Sequence, residues 1–283
     1  MALLQKGYLG ATPLFKERSW FEDMSQVPIN DSGDVTVTAD NAAHTKGAWI
    51  ELVASTSANA SFIIVEVSGI AASGADTATL VDVGTGASGS ETALIPNVGV
   101  GAANSNTQGL ATLAFGIPIK IASGTRLSAR IQSVVAGPPA KSAVVRVLTF
   151  DMGDYAYAPT SVDVIGTSTA TSVGTALSGA SGTWVEIIAS TTNAYKGVVI
   201  VPSSSATATG NIRVEYRLGT GASGAETARG RMFGTFTTAE GVGILPRTSP
   251  LITAQIPSGT RLSVRHDIAS TSGNYDITLI GIR

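Results

Sequence analysis

The chain has 283 residues, enough for two domains of ordinary size at ~100–150 residues each. Of these, 134 are Ala, Gly, Ser or Thr and only 13% are charged, with a net charge of −2. So neutral a chain offers no electrostatic footprint for nucleic acid, and it has no apolar run of the ~18 residues a membrane helix needs. The absence of cysteine excludes disulfides, thiolate metal sites and cysteine nucleophiles.

Residues 1–28 form a distinct arm. Tyr8, Phe15, Trp20 and Phe21 give it four aromatics, and Leu3, Leu4, Leu9, Leu14 and Met24 add apolar bulk. Lys16-Glu-Arg18 interrupts its apolar stretch, so no secretory signal is expected. Apolar side chains on such a segment need a place to be buried. Two seats are open: a neighbouring subunit or larger assembly, with Tyr8, Phe15, Arg18, Trp20 and Phe21 at the contact, or the arm's own domain.

Beyond the arm the sequence is written twice. Gly47-Ala-Trp49-Ile-Glu51-Leu-Val-Ala-Ser-Thr56 returns as Gly182-Thr-Trp184-Val-Glu186-Ile-Ile-Ala-Ser-Thr191, at an offset of 135. Gly84-Thr-Gly86-Ala-Ser-Gly89-Ser-Glu91 returns as Gly219-Thr-Gly221-Ala-Ser-Gly224-Ala-Glu226, and Ser123-Gly-Thr-Arg126-Leu-Ser-Ala-Arg130 as Ser258-Gly-Thr-Arg261-Leu-Ser-Val-Arg265, at the same offset. The final runs, Val145–Phe150 and Ile277–Ile282, fit at an offset of 132. A repeat of this period marks two homologous units, taken as 29–154 and 155–283, with a short joint at Asp151–Pro159. Residues 29–154 carry a net charge of −4 and residues 155–283 a net charge of +2.

Within each unit the runs read as strands in chain order. Ser61–Val67 and Gly197–Val201 are rich in β-branched residues, and Arg126–Ser133 and Arg261–Ile268 alternate polar with apolar. Gly, Ser, Asn and Pro clusters separate such runs every ~8–12 residues, giving about eight strands per copy and no helical stripe. The expected fold is all-β: two tandem β-sandwiches of jelly-roll type behind an extended arm.

Several patterns invite a chemical reading. Gly84-x-Gly86-x-x-Gly89 and its repeat match a dinucleotide fingerprint, but that motif works only between a strand and a helix. Glycines supplying positive φ in a tight loop explain it here. Glu51, Glu91, Arg126 and Arg130 recur as Glu186, Glu226, Arg261 and Arg265. A framework needs its clamps in both copies whereas one active site does not, so Glu91, Arg126, Arg130, Glu226, Arg261 and Arg265 are read as structural clamps. By parity with Leu127, Arg126 and Arg130 point away from the core.

His44 lies in a turn-like segment. His266 replaces Ile131 at an inward strand position and reads as a satisfied or edge histidine, with no metal-ligand spacing around it. Asp31, Asp34, Asp76 and Asp82 make no calcium loop, and Asp82 becomes Arg217 in the second copy. Trp49 and Trp184, flanked by Ile, Leu and Val, read as core or inter-sheet residues more readily than as sugar platforms. No catalytic residue, cofactor or metal is expected.

The string Val81-Asp-Val-Gly-Thr-Gly-Ala-Ser-Gly-Ser-Glu91, then Leu94-Ile-Pro-Asn97, then Pro118-Ile-Lys-Ile-Ala-Ser-Gly-Thr-Arg-Leu-Ser-Ala-Arg130 resembles a motif set of virion structural proteins of tailed bacteriophages. The second copy keeps the glycine loop and Ile256-Pro-Ser-Gly-Thr-Arg-Leu-Ser-Val-Arg265, but has Arg229-Gly-Arg-Met in place of Leu94-Ile-Pro-Asn. The resemblance covers about half of each unit and implies a β-sandwich virion component, assembled in the host cytoplasm. The expectation is a non-enzymatic capsid-decorating (cement) protein. It would associate with itself as a homotrimer and meet the major capsid protein or another virion protein through residues 1–28. The rival is a tail-fibre, tail-tip or spike protein binding a host glycan through loop residues of the second unit, with Tyr216, Met232, Phe233 and Phe236 as candidates.

Overall fold

A computed structural model describes residues 27–68, 79–100, 113–133, 142–152, 158–166, 174–177, 181–204, 212–236, 243–244, 251–252, 255–268 and 275–283. The described residues form strands and no helix. In the first unit these are β1 (Asn30–Asp31), β2 (Val35–Thr38), β3 (Ile50–Val53), β4 (Ala60–Ser68), β5 (Thr79–Thr85), β6 (Thr92–Val100), β7 (Leu113–Ile121), β8 (Leu127–Ser133) and β9 (Ser142–Phe150). The second holds β10 (Val162–Ile165), β11 (Thr175–Leu177), β12 (Trp184–Ile188), β13 (Gly197–Ser204), β14 (Ile212–Thr220), β15 (Thr227–Phe236), β16 (Gly243–Ile244), β17 (Leu251–Ile252), β18 (Leu262–Ile268) and β19 (Tyr275–Ile282).

Sheet A runs β1-β9-β4-β7, with β2 also on β9, and sheet B runs β3-β8-β5-β6. Sheet C runs β10-β19-β13-β17, with β11 on β19, and sheet D runs β12-β18-β14-β15-β16. Taking β1 with β2, and β10 with β11, as one interrupted strand, the two units share one topology. Among the described strands, successive ones alternate between sheets except at the β5–β6 hairpin, its copy β14–β15 and the added β16, which extends sheet D past β15. This is the strand order of a jelly roll. Register repeats too: Val35 pairs with Val145 and Thr175 with Ile277, so the offset of 132 between the final strands is a real equivalence.

The alternation of β4 shows how the sequence builds this. Ile63, Val65 and Val67 face the sandwich core with Val81, Val83, Phe115, Ile117, Leu127, Ile131, Val145 and Val147. The second core gathers Val198, Ile200, Val214, Tyr216, Leu218, Leu262, Val264, Ile277 and Leu279. The outer residues of sheet C, Val162, Val199, Val201, Ile280 and Ile282, pack with the first unit's core, not the second's. They lie against β6, and Lys120 N–H donates to Pro159 C=O at 2.7 Å across the joint. The halves are thus fused through apolar surface, each buried CH2 contributing about 0.8 kcal/mol.

Candidate functional site

The charged residues kept in both copies meet on the outer faces of sheets B and D. Val81 and Val83 turn into the core, so Asp82 and Gly84 turn out, beside their β8 partners Arg130 and Ser128. Arg126 lies one step before β8 on the same side. Its Nε donates to Glu51 at 2.8 Å, and its Nη1 donates to Glu91 at 2.8 Å and to the Gly86 carbonyl at 3.4 Å. Arg261 repeats this on Glu186 at 2.6 Å, Glu226 at 2.9 Å and Gly221 at 3.1 Å. One guanidinium therefore ties strand, glycine loop and returning strand together, which suits its fork of donors.

Burial alone would raise the Glu91 carboxyl. Hydrogen bonds from its own N–H, from Arg126 and from Gly89 N–H outweigh that and hold it below the usual carboxylate value. Glu226 is lowered likewise, burial being outweighed by bonds from Arg261 and from the N–H groups of Glu226 and Gly224. Arg126 is raised by Glu51 and then Glu91, and Arg261 by Glu186 and then Glu226.

The glycine pattern belongs to this architecture. Gly86 and Gly221 have φ of +120° and +116°, and a Cβ at either would sit 2.8 or 2.9 Å from the carbonyl oxygen of Ser90 or Ala225. Each loop joins two antiparallel strands, so the strand-to-helix setting of a dinucleotide site is replaced by a hairpin. Gly84 and Gly219 serve a second purpose. A Cβ at either would come within 2.6 Å of the indole of Trp49 or Trp184. Both tryptophans lie flat on the outer sheet face, half-buried, and not in the core or between the sheets as their apolar neighbours suggested. The reason is parity: the inward residues are Leu52 and Ile187. Arg130 covers Trp49 at 4.3 Å from the ring centroid, and Arg265 covers Trp184 at 5.0 Å, a cation–π stack in each copy.

Beneath the stacks the copies diverge. Asp82, only 2% exposed, accepts from Lys46 Nζ at 2.7 Å, Arg130 Nε at 2.8 Å and Asn97 N–H at 2.7 Å. Burial lowers the Lys46 ammonium, opposed by Asp82. In the second copy Arg217 takes this place and contacts Glu215 at 2.8 Å and Asp267 at 3.2 Å. Arg265 reaches Asp267 at 3.4 Å. Glu215 and Asp267 stand where the first copy has Leu80 and Gln132, so two new carboxylates answer the reversed charge.

Of the other sequence candidates, His266 is buried in β18, between β12 and β14, and faces inward beside Tyr216. It is not at a sheet edge, and burial lowers its imidazole, with Asp267 opposing. Asp31 pairs with Arg146. Among the described residues no group of three His, Asp or Glu could hold a metal ion. Tyr216, Met232 and Phe233 belong to strands and not loops, and the first two are buried in the second core while Phe233 is 37% exposed. Tyr8, Phe15, Arg18, Trp20, Phe21 and Asp76 lie outside the described residues.

Sequence reading passed over one pair. Thr56 Oγ1 donates to Ala122 C=O at 2.7 Å and accepts from Thr125 N–H at 3.0 Å, pinning the turn before β8. Thr191 does the same with Pro257 at 2.9 Å and Thr260 at 3.1 Å. Both end the first repeated block, which was the available signal.

No family model and no curated protein matches the chain. Among solved structures it is similar to PNGF-II (C2 crystal form; 8% identity, TM-score 0.40), with 88% of this chain covering 65% of that one. It is also similar to PNGase F, a glycosylasparaginase from Flavobacterium meningosepticum (11% identity, TM-score 0.36; 88% and 93% covered). The tandem CBM22-1–CBM22-2 domain of Paenibacillus barcinonensis Xyn10C follows at 10% identity and a TM-score of 0.28, with 88% and 86% covered.

Proposed function

We propose that this chain is a non-enzymatic structural component of a tailed-bacteriophage particle, decorating and stabilising the capsid surface. The observation that carries the reading is the use of the shared charged residues. Arg126 with Glu51 and Glu91, and Arg261 with Glu186 and Glu226, tie loops to sheets with the same bonds in both copies. Residues consumed this way build a framework. Two jelly rolls fused through apolar surface make a stiff body suited to bridging neighbouring shell subunits, and the motif resemblance supplies the particle. The test is copy number, by quantitative mass spectrometry of purified particles carrying this chain. A count comparable to the major shell protein supports decoration, and absence from any particle refutes it.

A tail or spike protein binding a host glycan is the second reading. It is favoured by Trp49 and Trp184 lying on outer faces and by exposed Phe233 under Arg231. A handful of copies per particle, with glycan-array binding by the full chain, would replace the first reading with this one.

A further inference from the structure

The two copies treat the same outward positions differently. In the first, Arg130 stands directly opposite Asp82, and Gln132 opposite Leu80. Leu80, Asp82 and Gln132 are all buried. In the second, a row of four residues crosses sheet D: Trp184 pairs with Arg265, Arg265 with Arg217, and Arg217 with Arg231. The next row is Asp267, Glu215 and Phe233. Here Arg217, Glu215 and Asp267 are only half-buried, so a face closed in one copy is open in the other. Arginines side by side on adjacent strands repel, a cost that the first copy avoids with Asp82. Glu215 and Asp267 answer Arg217 and Arg265. Arg231 is left over. It is 65% exposed, and its one carboxylate partner among the described residues, Glu215 Oε1, lies 3.8 Å away, beyond hydrogen-bond reach and already taken by Arg217 Nε at 2.8 Å. The Arg231 guanidinium lies 5.5 Å from the ring centroid of exposed Phe233.

We propose that this face of sheet D binds an acidic polysaccharide, with Arg231 gripping a sugar carboxylate and Phe233 packing against the sugar ring. The inference deepens the second reading above and rests on it for the ligand being a glycan. The planar fork of an arginine matches a carboxylate with two parallel bonds. An aromatic ring offers a flat apolar surface to the C–H face of a sugar. Glu215 and Asp267 can only accept hydrogen bonds, which suits them to hydroxyl groups on the same chain of sugars. The row crosses four strands, roughly 14 Å, a length that fits a polymer better than a single small anion. Other acidic polymers fit less well. A nucleic acid, charged at every unit, would press phosphates against Glu215 and Asp267. An acidic peptide finds no strand to extend on this face, because β14 and β18 are paired on both sides.

The test is binding of the full chain to an array of neutral and uronate-bearing glycans that also carries polyglutamate. It compares wild type with Arg231→Gln, Phe233→Ala and Arg146→Gln, the last removing the same charge from sheet A of the first unit. Arg231 and Phe233 are exposed, so their variants should keep the wild-type urea midpoint. The expected result is binding to uronate-bearing glycans that weakens about tenfold in Arg231→Gln and in Phe233→Ala and holds at wild-type strength in Arg146→Gln. Binding to neutral glycans alone, or a loss in Arg231→Gln no greater than in Arg146→Gln, would overturn the inference and leave the glycan reading standing. Binding to polyglutamate alone would replace the ligand with an acidic protein, and silence across the array would end both.

Discussion

Asp82 is a buried carboxylate whose loss should be costly. In Asp82→Ala the Lys46 ammonium and the Arg130 guanidinium lose their shared counter-ion, and Asn97 N–H loses its acceptor. Removing one partner of a fully buried pair costs about 3–5 kcal/mol. Lys46 and Arg130 are 20% and 31% exposed, so water recovers part of that, leaving roughly 2 kcal/mol. The abandoned N–H adds about 1 kcal/mol, for a total near ~3 kcal/mol. Asp31→Ala is the control, since it breaks a carboxylate–arginine pair of which both members are more than a third exposed, and it should cost under ~1 kcal/mol. Urea unfolding with the slope m checked for constancy gives both numbers. If Asp82→Ala and Asp31→Ala shift the midpoint equally, burial is not what makes the Asp82 site valuable, and the reasoning fails.

Three further outcomes follow from the same contacts. Thr56→Val keeps the shape of the side chain but removes the hydroxyl shared by Ala122 C=O and Thr125 N–H, leaving them only their mutual bond at 3.3 Å, so it should cost about 1 kcal/mol by denaturant titration. An unchanged midpoint would deny the turn-pinning role. Gly84→Ala drives a methyl into the Trp49 ring and should cost about 1–3 kcal/mol with a shift in tryptophan emission; an unshifted spectrum would contradict the stacking. His266 is lowered by burial, so below pH ~6.5 the unfolded chain takes up a proton that the folded chain resists. Stability should fall as pH drops through that range. His266→Ile, which restores the residue of the first copy, should flatten urea midpoints between pH 7 and 5; a slope matching wild type would count against it.

Much of the fold was legible because jelly-roll strands here are short alternating runs between glycine-rich turns, and because the repeat aligns them pairwise. The recurrence of the charged residues was legible for a related reason: isolated charges in a chain of small neutral residues stand out when they return at one offset. What stayed hidden depends on which side of a strand a residue faces when its neighbours on both sides are apolar. Trp49 sits beside Ile50 and Leu52, a context that reads as core, yet the inward position is Leu52 and the indole lies outside on a glycine. The fusion of the two units was hidden too. Val199 and Ile280 look like ordinary strand residues, and only the three-dimensional arrangement shows them turned toward β6.

The duplication is also an internal experiment on which residues depend on one another. Arg–Glu clamps and Trp–Arg stacks survive unchanged, while the charge beneath the stack inverts. Asp82 with Lys46, Leu80 and Gln132 became Arg217 with Ser181, Glu215 and Asp267. If these four positions form one coupled unit, single exchanges should be far worse than the whole set, because neighbouring charges are not additive. Arg217→Asp alone would crowd its new carboxylate against Glu215 and Asp267, with Arg265 and Arg231 left to answer all three. It should lower the Tm markedly. Adding Ser181→Lys, Glu215→Leu and Asp267→Gln rebuilds the first copy's arrangement and should recover most of that loss. A quadruple variant no more stable than the single one would mean that the two faces are held by different surroundings, and that the pairwise equivalence stops at the clamps.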